Sequence, residues 1–272
     1  MEQIGLLGCG LLGSAMAERL RSAGFQVLGY DSHPSRCMGA RSPAQVATEC
    51  RRIVLCLPHS GIVQGVLSEI GPKLSAGSIL IDATTGSPES CASLAARYRY
   101  VDATIGGSSR LVRERKAIVI AGGEKALFED CRDLFETFAE RVFHVGPAGY
   151  GARMKLAVNL VLGLNRAALA EGLAFAEAYG LDPALTLEVF QAGPSYSAAM
   201  RAKGRKMLDR NYAPEARLAQ HHKDVRLILD AGKACGAKLP LSTLHDRLLS
   251  EASQMGLADQ DNSAIIEWFR SR

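Results

Sequence analysis

The chain has 272 residues, 47% of them hydrophobic and 22% charged, with a formal net charge of +4 at pH 7. These values fit a globular protein of two domains and exclude a disordered or low-complexity chain. The basic clusters lack interleaved aromatic residues and any known nucleic-acid module, so no nucleic-acid partner is predicted.

The cysteines and the apolar segments exclude further classes of protein. The seven cysteines form no CxxC pair, which predicts neither a disulfide framework nor a metal site and fits a cytoplasmic location. The short N-terminal head carries Glu2 and no positive charge, so it is not predicted to be a secretory signal. No uninterrupted apolar stretch is long enough to span a membrane, and we expect no membrane partner.

The first half of the chain alternates short β-like runs with helical runs. Several of the β-like runs are almost continuously apolar, as in strands that are buried on both faces. This alternation predicts an α/β domain with a parallel sheet covered by helices. The predicted strands are 3–7, 26–30, 53–57, 78–82, 99–103 and 117–121.

The turn after the first predicted strand carries a GxGxxG pattern and opens a helix predicted over 14–22. Gly8 permits the tight turn, Gly10 lets the backbone approach a pyrophosphate, and Gly13 allows the helix to pack closely. The strand before the pattern and the helix after it favour a Rossmann-type dinucleotide site. Its predicted residues are Gly8, Cys9, Gly10, Leu11, Leu12 and Gly13.

Asp31 follows the second predicted strand, 18 positions beyond Gly13. An acidic side chain there can accept hydrogen bonds from the ribose hydroxyls and repel a 2′-phosphate, which favours NAD over NADP. Asp31 could instead be a turn residue, with His33 or Arg36 meeting a phosphate, so NADP stays possible.

Two later segments end predicted strands, where ligands of open α/β sheets bind. Leu57 and Pro58 end the third strand, and the segment 82–88, which contains Thr85, ends the fourth. Each is a candidate for cofactor binding, although either could be only a polar turn.

After residue 143 the patterns are only helical. We therefore predict a dinucleotide-binding Rossmann domain over 1–148 and an all-helical domain for substrate binding and oligomerisation over 149–272, joined by a long helix at 152–178. Lys155, Asn159 and Arg166 share one face of this apolar helix. Most helical lysines are solvated, but the position of Lys155 after a glycine-bearing segment and one turn before Asn159 suits a pocket wall.

The motifs of this chain, and their order along it, resemble those of the β-hydroxyacid dehydrogenase family. That family includes 3-hydroxyisobutyrate dehydrogenase and tartronate semialdehyde reductase. The resemblance covers essentially the whole chain. The matching segments are 5–17, Asp82 to Pro88 with Thr84 in place of a serine, Gly149 to Asn159, Lys223-Asp224-Val225, and a late segment from Asp261.

The resemblance implies that Lys155 is the catalytic lysine and Asn159 its partner at the substrate, with Thr85 and Lys223 beside the nicotinamide and substrate. As a base, a lysine would need its pKa lowered from ~10.4 toward roughly 7 to 8 by apolar surroundings and nearby cations such as Lys223. The implied function is the NAD-dependent, or NADP-dependent, interconversion of a small anionic β-hydroxyacid and its semialdehyde by a homodimer or homotetramer.

This chain departs from the family pattern in the substrate loop at 102–108, where Gly106 replaces the expected serine. Binding of the substrate carboxylate would then rest on Gly106, Gly107 and Ser108. In the basic segment that follows, Arg110 or Arg113 could bind a sulfonate, a phosphonate or a larger acid, but a solvent-facing loop is favoured.

Two alternatives remain at this stage. One is an imine reductase-like enzyme of the same fold, against which the retained Lys155 argues. The other is a non-catalytic nucleotide-binding module, which the lost serine keeps open. His221 and His222 are interpreted as surface or pocket-edge residues rather than metal ligands, and His144 as a strand-end residue.

Overall fold

A computed structural model describes residues Met1 to Ser271, which divide into two compact units, the first over Met1–Lys155 and the second beginning at Leu156. The division falls within one helix, a few residues beyond the domain boundary that the sequence suggests, and the boundary at 148/149 stays a prediction.

The first unit contains a seven-stranded sheet in the order β2-β1-β3-β4-β5-β6-β7. Neighbouring strands from β2 to β5 are parallel, which confirms the predicted α/β class. The strands are β1 (Gln3–Leu7), β2 (Gln26–Tyr30), β3 (Arg52–Leu55), β4 (Ile79–Asp82), β5 (Tyr100–Gly106), β6 (Ala117–Gly123) and β7 (Ala139–His144).

The predicted parallel sheet has one exception, because β6 runs antiparallel to β5. Only residues 107–116 link the two strands, and a parallel crossover usually needs a dozen residues or more. The longer link between β6 and β7 contains two helices, and these two strands are parallel.

Helices cover both faces of this sheet. Along β3, Val54 belongs to one hydrophobic cluster, whereas Ile53 and Leu55 belong to the other, as the alternation of strand side chains requires. The first cluster includes side chains of α1, α5, α6 and α7, and the second includes side chains of α2, α3 and α4. These helices are α1 (Leu11–Ser22), α2 (Pro43–Glu49), α3 (Ser60–Ile70), α4 (Pro88–Ala95), α5 (Ser109–Arg113), α6 (Lys125–Glu129) and α7 (Arg132–Phe138).

The second unit is helical throughout its regular structure, as predicted. Its core contains Leu173 of the long helix α8, together with Met207, Val225 and Leu249 from later helices. The helices are α8 (Tyr150–Ala178), which begins in the first unit, α9 (Pro183–Ala192), α10 (Ala198–Leu208), α11 (Leu218–Cys235), α12 (Pro240–Ala252) and α13 (Ile266–Arg270).

Helix α8 is long and apolar enough to cross a membrane by length and composition alone. Core helices of soluble proteins can have the same length and composition, and 44% of the 18-residue apolar stretch of α8 is buried inside the protein.

Candidate active site

The glycines after β1 shape the start of α1. At Gly8, where φ is +98°, an added Cβ would lie 2.2 Å from the carbonyl oxygen of Cys56, and at Gly13 it would lie 2.0 Å from the carbonyl oxygen of Gly8. At Gly10 an added Cβ would meet no described atom within 4 Å. Gly8 and Gly13 are therefore required by the fold, whereas Gly10 leaves space beside the helix N-terminus.

Helix α1 begins at Leu11, three residues before the predicted start, so Leu11, Leu12 and Gly13 form its first turn. Gly10 is its N-cap, no side chain caps it, and the first turn has no acidic residue. A helix N-terminus of this kind presents backbone N–H groups and a positive dipole end to an anion. The space at Gly10 and these N–H groups fit the pyrophosphate of a dinucleotide.

Asp31 is held in place at the end of β2. Its carboxylate accepts hydrogen bonds from the backbone N–H of Cys9 at 2.8 Å and of His33 at 2.9 Å. Burial raises the pKa of Asp31, but these two donors and the positive charges of Arg36 and His33 outweigh it, so the pKa is lowered. The side chain is thus a fixed anion beside the glycine turn, which suits the binding of ribose hydroxyls.

The segments after β3 and β4 lie at the same edge of the sheet as the glycine turn, since β1, β3 and β4 are parallel neighbours. The backbone N–H of Leu57 donates to Oγ1 of Thr84 at 3.1 Å, which joins the segment of Leu57 and Pro58 to the segment of Thr85. The N–H of Thr84 donates in turn to the buried carboxyl of Asp82. The structure therefore brings these sequence-predicted residues together at the carboxyl edge.

Lys155 is buried, with 8% of its surface exposed. Its Nζ donates a hydrogen bond of 2.7 Å to the carbonyl oxygen of Ile105, near the end of β5. Gly106 and Gly107 follow directly in the chain, so the amine lies beside the predicted substrate loop.

Asp102, also on β5, was not predicted as a functional residue, yet it fixes the start of α8. Its two carboxylate oxygens accept hydrogen bonds of 2.8 Å from the backbone N–H groups of Gly149 and Ala152. Burial raises its pKa to about 6 against the effect of these donors. One strand thus holds both the beginning of α8 and the amine of Lys155. Sequence spacing gave no signal for this, because Asp102 and its donors are about 50 positions apart.

The neighbouring strand β6 leaves no room for a side chain at position 106 in the substrate loop. An added Cβ would lie 2.5 Å from Cγ1 of Ile118 on the neighbouring strand, so a serine there would collide with β6. Gly107 has a φ of +143°, and the hydroxyl of Ser108 accepts a hydrogen bond of 3.4 Å from the N–H of Leu111 as the N-cap of α5.

The two arginines of the following segment lie in exposed ion pairs. Nε of Arg113 is 2.7 Å from Oε2 of Glu18, and Nη1 of Arg110 is 3.1 Å from Oε1 of Glu114. These pairs agree with the solvent-facing interpretation of the segment.

In the second unit, Asp224 joins Asn159 to Lys223. Nδ2 of Asn159 donates to Oδ2 of Asp224 at 2.9 Å, and Nζ of Lys223 is 2.8 Å from Oδ1 of the same carboxylate. Asp224 was not predicted as a site residue, although the Lys-Asp pair of its motif was a usable signal.

His221 and His222 were expected at the surface or at a pocket edge, and the surface position is wrong because each is only 7% exposed, whereas the pocket-edge position stays a prediction. Helix α11 turns His221 toward the ring of His245, at 5.2 Å between ring centroids, and places Nε2 of His222 2.9 Å from Asp246. His144 ends β7 as predicted. Within residues 1–271, no group of three or more His, Cys, Asp or Glu side chains is arranged to hold a metal ion.

Comparison with known proteins places this geometry in a family. Residues 3–146 match the family model of the NAD binding domain of 6-phosphogluconate dehydrogenase, and residues 149–269 match that of the NAD-binding of NADP-dependent 3-hydroxyisobutyrate dehydrogenase.

Relatives of similar length match nearly the whole chain. Glyoxylate/succinic semialdehyde reductase 1 of Arabidopsis thaliana is 30% identical over 97% of both chains. The 2-(hydroxymethyl)glutarate dehydrogenase of Eubacterium barkeri is 31% identical over 97% of this chain and 94% of that protein. The crystal structure of 3-hydroxyisobutyrate dehydrogenase from Salmonella typhimurium has a TM-score of 0.90 at 24% identity, covering 98% of this chain and 99% of that one.

The dinucleotide-binding unit and the helical unit define an NAD(P)-dependent dehydrogenase, and NAD(P) is its cofactor. The chain belongs to the β-hydroxyacid dehydrogenase family, the family of 3-hydroxyisobutyrate dehydrogenase. The resemblance inferred from the motifs is confirmed.

Proposed function

We propose that this protein interconverts a small β-hydroxyacid and its semialdehyde, with Lys155 as the general acid and base. The observation that carries the proposal is the buried amine of Lys155, held 2.7 Å from the carbonyl oxygen of Ile105 beside the Gly106-Gly107 loop. A buried amine in a fixed position is suited to exchanging a proton with a bound substrate.

The proposed chemistry divides between the cofactor and the chain. When bound, NAD(P) supplies or receives the hydride. Lys155 moves the proton: the neutral amine can keep one N–H on the carbonyl of Ile105 while its lone pair accepts the proton of the substrate hydroxyl. In the reducing direction the ammonium donates a proton to the aldehyde oxygen.

The other proposed residues bind and orient. Gly106, Gly107 and Ser108 are proposed to receive the substrate carboxylate, chiefly through backbone N–H groups, since no serine hydroxyl is present at position 106. Asn159 and Lys223 are proposed to contact the substrate, and the carboxylate of Asp224 would orient both side chains.

The named relatives suggest the size of the substrate. They are a glyoxylate/succinic semialdehyde reductase and a 2-(hydroxymethyl)glutarate dehydrogenase. We therefore propose a short acid that carries an aldehyde or a primary alcohol.

Steady-state turnover tests this proposal. Glyoxylate, succinic semialdehyde, 3-hydroxyisobutyrate and 2-(hydroxymethyl)glutarate are each assayed with the NAD and NADP couples. At least one acid should be turned over by the wild type, and Lys155→Ala should abolish that turnover. Lys116→Ala, which removes an exposed lysine, is the matched control and should keep it. Equal turnover by wild type and Lys155→Ala would contradict the assigned role.

A second candidate is a nucleotide-binding module without catalysis, favoured by Gly106 in place of the family serine. It predicts tight NAD(P) binding with no turnover of any acid in the panel. The imine reductase alternative is weaker because Lys155 is retained, and assay on a cyclic imine distinguishes it.

We also propose that the protein is a cytoplasmic homodimer. All seven cysteines are free thiols, which suits a reducing compartment. The side chains of Phe175 on α8, Tyr179 directly after α8 and Val189 on α9 are each at least 60% exposed. An apolar surface of this kind is typical of an interface.

A further inference from the structure

Arg166 is a buried cation that the proposed reaction does not use. It lies on α8 in the helical unit with 4% of its surface exposed, and neither its Nε nor its Nη1 has a hydrogen-bond partner among residues 1–271. Burial lowers its pKa, against the opposing effect of Asp261, but only to about 10. The guanidinium is therefore charged at neutral pH.

Asp261, the acid that acts on this guanidinium, is already engaged elsewhere. Its Oδ2 accepts from Nζ of Lys203 at 2.9 Å and from the backbone N–H of Glu215 at 3.0 Å, and its Oδ1 accepts from both the N–H and the hydroxyl of Ser263. Burial raises the pKa of Asp261, but Lys203 and the other donors lower it to about 2, so the carboxylate is ionised.

The carboxylates of Asp261 and Glu215 are each paired with a lysine. Asp261 compensates Lys203, and Glu215 compensates Lys206, whose Nζ lies 3.7 Å from Oε1 of Glu215. Arg166 itself forms no ion pair with any residue among 1–271.

The neighbouring imidazole of His245 is neutral and does not balance the charge of Arg166. Burial, followed by the charges of Arg166 and His222, lowers the pKa of His245 to about 4, so its ring is neutral at pH 7 and offers one N–H donor. Its Cε1 would lie 2.9 Å from a Cβ added at Gly163, one turn before Arg166 on α8. The rings of His221 and His245 therefore pack against the helix that carries the cation.

We propose that Arg166 binds a small anion, a halide or a short carboxylate, inside the helical unit. A buried charge without a partner is strongly unfavourable, and buried charges in proteins are paired. An anion would accept hydrogen bonds from the unpartnered N–H groups and also neutralise the charge of the guanidinium, whereas an ordered water molecule would do only the first. This site is independent of the proposed dehydrogenase activity.

Thermal unfolding tests the proposal without any substrate. At constant ionic strength, sodium gluconate, whose anion is large, is replaced stepwise by sodium chloride, and in a second series by sodium formate. The wild-type Tm should rise along a saturating curve, by about 3–5 °C at a tenfold excess over Kd. The series with the larger response identifies the halide or the carboxylate as the better ligand.

Two variants separate specific binding from general salt effects. Arg166→Met removes the charge with little loss of volume and should abolish the saturating rise. Arg247→Met removes an arginine that is 67% exposed on α12 and should keep it. A flat wild-type response to both salts, or the same saturating rise in Arg166→Met, would overturn the proposal.

Crystals of the wild type soaked in bromide or grown in formate show directly whether an anion is bound. This measurement does not require any variant to fold. An anomalous bromide peak, or formate density, beside the Arg166 guanidinium is expected. Only water at that position in both crystals would also overturn the proposal.

Discussion

At the scale of single residues, substitutions at Gly10 and Gly13 should have different effects, although both glycines belong to one motif. The first should weaken cofactor binding and the second should lower stability. Gly10→Ala adds a Cβ where no described atom lies within 4 Å, so thermal stability should hold while the dissociation constant for NAD(P) rises roughly tenfold or more. Gly13→Ala forces a Cβ to 2.0 Å from the carbonyl oxygen of Gly8 and should lower Tm.

Calorimetric titration and thermal melts on both glycine variants check this pair. Unchanged cofactor affinity in Gly10→Ala would show that the pyrophosphate does not pass over this residue. An unchanged Tm in Gly13→Ala would contradict the close approach of α1 to β1.

The carboxylate of Asp31 predicts the cofactor preference. Asp31→Asn removes the negative charge and keeps one oxygen that can accept from Cys9 or His33. Because a 2′-phosphate would no longer meet a like charge, the ratio of kcat/KM for NADP to that for NAD should rise roughly tenfold or more. Kinetics with both cofactors at one pH measure it, and an unchanged ratio would mean that Asp31 does not select the cofactor.

Much of the candidate site was predictable residue by residue, because the glycine turn, Asp31, Lys155 and Asn159 are carried by contiguous motifs. Asp102 was not predictable in this way, since its partners on α8 are distant in sequence and meet it only through folding. The burial of His221 was missed for a related reason, because the helical pattern does not show which neighbour covers a given face.

At the scale of elements, Asp261 ties α10 to the turn at Asn262–Ile265. Its folded pKa of about 2 lies below the unfolded value of about 3.9. Its contribution to stability is therefore fully present above about pH 5 and is lost progressively as the pH falls toward 2. Asp261→Asn also leaves the buried Lys203 without its main partner, at a cost of about 3 kcal/mol or more at pH 7.

Urea unfolding at several pH values checks this linkage. The difference in unfolding free energy between wild type and Asp261→Asn should be the same at pH 7 and pH 5. It should shrink by about 1 kcal/mol between pH 5 and pH 3. A difference that stays constant down to pH 3 would contradict the lowered pKa.

The elements of the fold were predictable where their signal is local. The strands β1 and β2 have the predicted bounds, because their apolar runs are contiguous. The direction of β6 was not predictable from its own residues, since the length of the link from β5 decides it. The sequence predicts the start of α1 three residues too late, because Gly13 resembles a turn residue although it lies in the first turn of the helix.

At the scale of the whole molecule, the exposed apolar side chains of α8 and α9 predict self-association. The wild type should sediment as a dimer at micromolar concentration. Phe175→Glu combined with Val189→Glu should yield a monomer, because charges would enter the apolar interface. The control Ile62→Glu changes an exposed apolar residue on α3 and should stay dimeric. A monomeric wild type, or a double variant that remains dimeric, would contradict the proposed interface.

The role of Lys155 is the central claim for the whole molecule, and single-turnover hydride transfer tests it most directly. The complex of enzyme and reduced cofactor is mixed with the best aldehyde acid, and the loss of cofactor absorbance is followed in the wild type and in Lys155→Met. The account predicts that the rate in the variant falls by about 10²- to 10⁴-fold, while the dissociation constant of the cofactor changes less than about twofold. A wild-type rate in Lys155→Met would contradict the claim that this amine moves the proton.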